Sequence, residues 1–175
     1  MLKMYYEEYN KMMDFCKQFV SKDGGTRPLL EYIHLTYAGN VARAEALDVC
    51  KGGFIQLSIY ECEEAGEILL PVTEKMKRSD YIVTISDLGK EIEIKTLTRT
   101  SIYKKPEGKF YDTSVIYPQD EPSEVFGFDP SLLADALKAF KNEDVVKIEY
   151  RGPYEPLIIK SNTAQALVMP KKLPR

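Results

Sequence analysis

The chain has 175 residues, 44% of them apolar and 29% charged, with a formal net charge of −3. That length suits one large domain or two small ones with a core of normal size, and the acidic balance argues against a protein that coats nucleic acid. No apolar run approaches the roughly 20 residues of a membrane span, and the acids Glu7 and Glu8 stand where a signal peptide needs an apolar stretch, so a cytoplasmic location is expected.

Residues 5–22 read as a helix. Tyr9, Met12, Met13, Cys16, Phe19 and Val20 recur at helical spacing, and Asn10, Lys11, Asp14, Lys17, Gln18 and Ser21 face the other way. Asp23, Gly24 and Gly25 stop it, because glycine accepts the left-handed conformation that closes a helix. Strands are expected at 29–37, 41–49, 54–62 and 67–71, with turns at Gly39 and at Gly52-Gly53. Residues 72–80 form a short basic segment with room for a helical turn or two. A hairpin over 81–86 and 91–97 follows, then a strand at 98–103. Residues 104–122, rich in Pro, Gly and charge, are the linker candidate. A second helix is expected from Asp129 or Pro130 to Asn142, capped by Asp129, with Leu133, Ala136, Leu137 and Phe140 as its apolar stripe. Helices that precede runs of strands indicate an α+β chain with mainly antiparallel sheet.

The residues offer little to catalysis. Cys16, Cys50 and Cys62 are an odd number at no metal spacing and read as reduced thiols, and His34, in a strand pattern, reads as structural. No nucleophile set, phosphate loop or dinucleotide fingerprint is present, so neither enzyme activity nor a metal or cofactor is expected. Glu61, Glu63 and Glu64 read as a solvated acidic loop. Twelve tyrosines and no tryptophan suit half-buried strand positions.

Residues 126–173 run in the order short strand, amphipathic helix, strand, Gly152-Pro153 turn, strand, strand and a Met169-Pro170 pair with basic residues. That layout resembles the last half-domain of the bacterial DNA polymerase III β subunit, the sliding clamp. Two more places resemble it. Thr26-Arg27-Pro28-Leu29-Leu30 matches the family's strand start after its first helix, and Leu47-Asp48-Val49-Cys50-Lys51 is an altered form of its corner. Gly108, Lys109, Phe110, Asp112 and Pro118 fit its later connection. The resemblance implies an α+β, DNA-clamp-like fold of βαβββ half-domains, with helices on one face of curved antiparallel sheets. It implies a clamp-like domain over 1–118 with a half-domain over 119–175, or a single clamp domain over 1–175 with an insertion near 66–122.

The function the resemblance implies is to tether by shape and charge. Duplex DNA would be held non-specifically by its backbone, through Lys11, Lys17 and Lys22 on the first helix, Lys75, Lys77 and Arg78 after it, and Lys138 and Lys141 on the last helix. The same cations also suit a plain solvated face, and Glu7, Glu8 and Asp14 oppose those of the first helix. Polymerase or other clamp-binding peptides would dock against Asp48, Cys50, Lys51, Leu132, Leu157, Val168, Met169, Pro170 and Lys171. The chain would self-associate as a homo-oligomer, acidic outside and basic only where it faces the duplex. A rival implication is a protein-interaction module that no longer encircles DNA.

Overall fold

The computed structural model describes residues 1–22 and 27–173. The expected helix stop at Asp23-Gly24-Gly25, and Thr26 of the strand start, lie outside them. The chain divides into two compact units, Met1–Asp112 and Thr113–Arg175.

The first unit begins with β1 (Leu2–Tyr5) and α1 (Tyr6–Cys16), followed by β2 (Tyr32–Ala38), β3 (Val41–Leu47) and β4 (Gly52–Ser58). Then come β5 (Glu61–Cys62), β6 (Gly66–Pro71), β7 (Ile82–Asp87), β8 (Glu91–Lys95) and β9 (Thr100–Lys104). They form a five-stranded sheet, β5-β1-β7-β8-β9, and a four-stranded sheet, β4-β3-β2-β6. Tyr9, Met12, Met13 and Cys16 of α1 are buried in one core with Leu2 and Met4 of β1, Val83 and Ile85 of β7, and Ala42, Ala44 and Ala46 of β3. Three alanines on one face of β3 let the helix approach the sheet closely. A fully buried Met or Leu contributes roughly 1.5–3 kcal/mol, so this stripe is the main anchor of α1. Burial also pushes the Cys16 thiol up to about 12, which makes it inert as a nucleophile.

The topology contains a repeat. β1-α1-β2-β3-β4 is answered by β6, residues 72–80 and β7-β8-β9. The two halves exchange their first strands: β6 pairs with β2 and β1 pairs with β7, both antiparallel. The second half has no α-helix. Residues 72–77 form no regular element, and only Arg78–Asp80 make a 3₁₀ turn, where a helical turn or two had been expected. The segment is shorter than the 12–15 residues that make a helix viable on its own, and α1 offers it a better arrangement. The Asn10 side-chain amide donates to the Met76 carbonyl at 2.9 Å and accepts from the Met76 N–H at 2.8 Å, as a neighbouring strand would. The hydroxyls of Tyr9 and Thr73 lie 2.6 Å apart, and Met76 is buried in the core.

Other elements differ from expectation at their ends. Tyr5 belongs to β1 rather than to the helix. β1 had not been expected: its Leu2/Met4 alternation is only four residues long and runs straight into the helical stripe. α1 ends at Cys16 and continues to Val20 as turns. Residues Pro28–Glu31 are 3₁₀ rather than strand, since proline fixes its φ and cannot donate to a ladder. The expected linker is in part anchored: Phe110 is buried and stacks on His34 with ring centroids 4.8 Å apart. His34 also bonds the Glu67 carboxylate through Nε2 at 3.0 Å.

The second unit contains β10 (Gly127–Phe128), α2 (Pro130–Lys138), β11 (Lys147–Glu149), β12 (Leu157–Lys160), β13 (Gln165–Val168) and β14 (Pro170–Lys171). β11-β12-β13 is one sheet and β10-β14 another. The Asp129 carboxylate caps α2 by accepting from the Ser131 N–H at 3.0 Å, with Pro130 at the first helical position. The core is small: Phe140, Ile159 and Val168, with Phe128, Leu133, Ala136, Val146 and Ala166 against it. α2 stops at Lys138, short of the expected Asn142. Leu137, placed in the apolar stripe from sequence, is 40% exposed.

Candidate nucleic-acid and peptide interface

Of the candidate cations in the first unit, Lys17 and Lys75 meet where α1 and residues 72–78 run together. The Asp14 carboxylate accepts from Lys17 at 2.8 Å and from Lys75 at 2.5 Å, and these two bonds hold its pKa below the usual carboxylate range, Lys17 first. Lys11 lies 3.8 Å from Glu8. Among the described residues, Lys22, Lys77 and Arg78 are exposed and have no carboxylate within ion-pair distance. The acids Glu7, Glu8 and Asp14 outnumber Lys11 and Lys17, so the positive surplus of this face comes from Lys75, Lys77 and Arg78. Arg99, which the sequence reading passed over, joins them. Its guanidinium contacts the Lys75 carbonyl at 3.4 Å and lies 3.7 Å from Glu74. It stands just ahead of β9, far along the chain, and no local pattern marks it.

On the second unit, Lys138 pairs with Asp135 at 2.9 Å, while Lys141 is exposed past the end of α2. Exposed pairs of this kind are worth about 0–1 kcal/mol. Their bearing on function is larger, since a carboxylate clasping a lysine already fills the place of a phosphate and removes a counterion that DNA would release.

The residues expected at a peptide pocket fall in both units. Asp48, Cys50 and Lys51 form the β3–β4 turn. The Asp48 carboxylate accepts from the Cys50 N–H at 2.7 Å and the Lys51 N–H at 2.9 Å, and those bonds lower its pKa, Cys50 first. The Lys51 ammonium reaches the Gln18 carbonyl past the end of α1, where cations offset the helix dipole. Together these residues line a cleft of about 410 Å³ with Lys17, Gln18, Val20, Ser21, Lys22 and Val49. Residues assigned from sequence to two different ligands thus share one basic cleft. Gln18, Val20, Ser21 and Val49 of its lining were not among the residues expected at either site.

In the second unit, Leu157 and Val168 are opposite one another on β12 and β13 and are buried. Leu132 and Met169 are exposed, at 58% and 57%. Pro170 pairs with Phe128, and Lys171 lies 3.2 Å from Asp129, whose carboxylate also accepts from the Leu132 N–H at 3.4 Å. Lys171, followed by the backbone N–H groups of Ser131 and Leu132, holds the Asp129 pKa low. Leu132 and Lys171 are thereby brought to one place, around the N-terminus of α2.

Nothing in the acidic loop is poised for a cation. Glu61 pairs with Lys3 at 2.7 Å and Glu63 with the N-terminal amine at 3.3 Å. Among the described residues no group of three His, Cys, Asp or Glu side chains is placed to hold a metal ion, and no helix is long and apolar enough to cross a membrane.

Paired βαβββ halves with exchanged first strands define the DNA-clamp fold, and this chain has it. The DNA polymerase sliding clamp of Bacillus subtilis superposes with a TM-score of 0.80 at 16% identity, over 98% of this chain and 49% of that one. The β subunit of the Streptococcus pyogenes DNA polymerase gives 0.79 at 16% identity, over 98% and 50%. The Helicobacter pylori β clamp bound to a DNA ligase peptide gives 0.62 at 10% identity, over 99% and 53%. The chain spans about half the length of the solved clamps it matches. No protein-family model and no curated protein sequence matches it.

Proposed function

We propose that this protein is a clamp-like tether. It self-associates, cradles duplex DNA by backbone contact without reading bases, docks short apolar peptides of partner proteins and performs no chemistry. The observation that carries the reading is the clamp fold itself, presenting Lys75, Lys77 and Arg78 beside the exposed face of α1. Phosphate contact by a few lysines and arginines is sequence-independent and weakens steeply with salt. The peptide surface centres on Leu132, Met169 and Lys171. Met suits such a surface because its flexible thioether adapts to different side chains. The replicative neighbours of the fold fit a cytoplasmic protein.

Retention on nicked circular duplex tests it. Binding should fall as salt rises, drop at least several-fold in the combined variant K75A/K77A/R78A, and rise in Asp14→Asn, which frees Lys17 and Lys75. No salt-dependent retention at any protein concentration would sink the DNA part of the reading.

A second reading has its own support in the carboxylates that clasp Lys17, Lys75 and Lys138. The protein would then be a peptide-docking module that has given up DNA. Peptide binding lost in Met169→Ala, with no DNA retention in any variant, selects it.

A further inference from the structure

The five-stranded sheet turns one face to the core and leaves the other open. Leu2, Met4, Val83 and Ile85 are fully buried, so Lys3, Tyr5, Ile82 and Thr84, which alternate with them, point outward. The register sets these outward residues in rows across the strands. Tyr5 and Ile82 make one row, Lys3, Thr84, Lys95 and Thr100 the next, and Ser86, Glu93 and Ile102 the one beyond. Tyr60 and Tyr81 flank Tyr5, with ring centroids 5.7 and 5.5 Å from its own. Those two rings are 59% and 62% exposed. Beside Tyr81 lies a cleft of about 350 Å³ walled by Ile82, Thr84, Lys95 and Leu97, of which Leu97 is 87% exposed.

Backbone and charge both set this patch apart from an ordinary solvated face. Tyr81 has a positive φ of 41°, and among the described residues no other non-glycine does. A bulky side chain rarely adopts that backbone, and such strain collects at functional sites. Among the described residues, Lys95 has no carboxylate within ion-pair distance. Asp80, the carboxylate of the cleft, is buried and taken up by Thr96, Thr98 and the Lys77 N–H. Glu61 is held by Lys3, and Glu93 lies one row beyond Lys95, on the side away from the tyrosines. The cleft therefore offers a free cation and no free carboxylate beside exposed rings. It complements an anion joined to flat apolar groups.

We propose that this face binds single-stranded nucleic acid, with bases stacked on Tyr81 and Tyr60 and the sugar-phosphate backbone along the Thr84–Lys95–Thr100 row. Every base has a π-face, so stacking on tyrosine tolerates any sequence. An open sheet face with aromatic side chains on neighbouring strands takes unstacked bases in this way. Lys95 supplies the charge and the threonine hydroxyls supply donors to phosphate. A duplex has no free base faces to offer the rings. Peptides fit less well. β1, β7 and β8 are each paired on both sides, so no strand can be added there. The apolar row is bordered by Lys3, Thr84 and Lys95, which leaves no groove for the apolar face of a helix. A proline-rich segment would leave Lys95 without an anion. The inference uses none of the cations assigned above to duplex DNA and stands apart from the tether reading.

Fluorescence anisotropy of the full chain with labelled oligothymidylate and oligouridylate of about 12 nucleotides tests it. Binding of either strand supports the proposal, and the tighter of the two separates DNA from RNA. Affinity should fall about tenfold or more in Tyr81→Gly. It should fall several-fold in Lys95→Gln, with a shallower dependence on salt. Tyr154→Ala, at an exposed tyrosine of the second unit, should change nothing. Glycine accepts the positive φ, so Tyr81→Gly should keep its denaturation midpoint, and its loss of binding then reports the ring. An abasic strand of the same length should bind at least about tenfold more weakly than oligothymidylate. Failure of both strands to bind at low salt overturns the proposal. So does binding that Tyr81→Gly leaves intact, or an abasic strand that binds equally well. A proline-rich peptide that binds at Tyr81 where the strands do not would overturn it too and give the face to a protein partner. Salt-dependent duplex retention without single-strand binding keeps the tether and removes this site, whereas single-strand binding lost in Tyr81→Gly without duplex retention does the reverse.

Discussion

α1 and α2 open the same kind of βαβββ half, yet they are held differently. α1 buries four residues against strands of both sheets of its unit. α2 lies on a single three-stranded sheet and has no fully buried residue. Capping does not explain the difference, since α2 has the better N-cap: Asp129 caps it, whereas α1 has no side-chain cap at Tyr5. The comparison teaches that a second half adds cover to a half-domain helix beyond what the strands of its own half provide. In the first unit that half brings β7 and the irregular segment 72–77; in the second unit, nothing described stands in those places.

The largest test of this contrast is truncation at the two interfaces. Met12→Ala should cost about 2–5 kcal/mol by chemical denaturation, and Leu133→Ala roughly half of that because its site is only partly enclosed. Equal costs would mean that α2 is as well packed as α1. Next is the strap that stands in for the missing helix. Asn10→Ala leaves the Met76 N–H and carbonyl without their partner, which should cost about 1–3 kcal/mol and speed proteolytic cleavage within 72–78. Unchanged cleavage would show that Asn10 does not hold the segment.

Asp80 fixes the far end of the same strap. It accepts from Thr98, from the Thr96 hydroxyl at 2.8 Å and from the Lys77 N–H at 2.7 Å, and these bonds, Thr98 first, lower its pKa. A carboxylate with a depressed folded pKa contributes stability that is present above its unfolded value of about 3.9 and is lost as pH falls through the folded one. Asp80→Asn should therefore flatten the acid limb of the stability curve below about pH 4; an unchanged limb would remove Asp80 from the account. The smallest effect is expected at Leu137→Glu, within about 0.5 kcal/mol for the isolated chain, because that side chain is already open to water. A large loss at low protein concentration would place Leu137 inside a core.

Much of the fold was legible in order and kind. The stripe of Tyr9, Met12, Met13 and Cys16 and the Asp129-Pro130 cap each carry a local physical signal, and the resemblance of 126–173 to a clamp half-domain led to the right fold. β1 was not legible, because four residues cannot establish a period. Neither was the non-helical course of 72–77, where the Asn10 amide on another element holds Met76. At the candidate sites, sequence supplied the cations but not their partners: that Asp14 clasps both Lys17 and Lys75, and that Arg99 stands beside them, depends on chain segments brought together from far apart.

The amino-acid sequence by itself determined the elements that depend on near neighbours: two amphipathic helices, the turn at Gly39, and strands with one apolar face. Tertiary structure alone decided the exchange of β1 and β6 between halves, the burial of Met76, and the exposure of Ile148 opposite the buried Ile159. Helical and strand periods report only which face of an element is apolar; what covers that face is set by segments tens of residues away, through backbone pairing that most side chains permit.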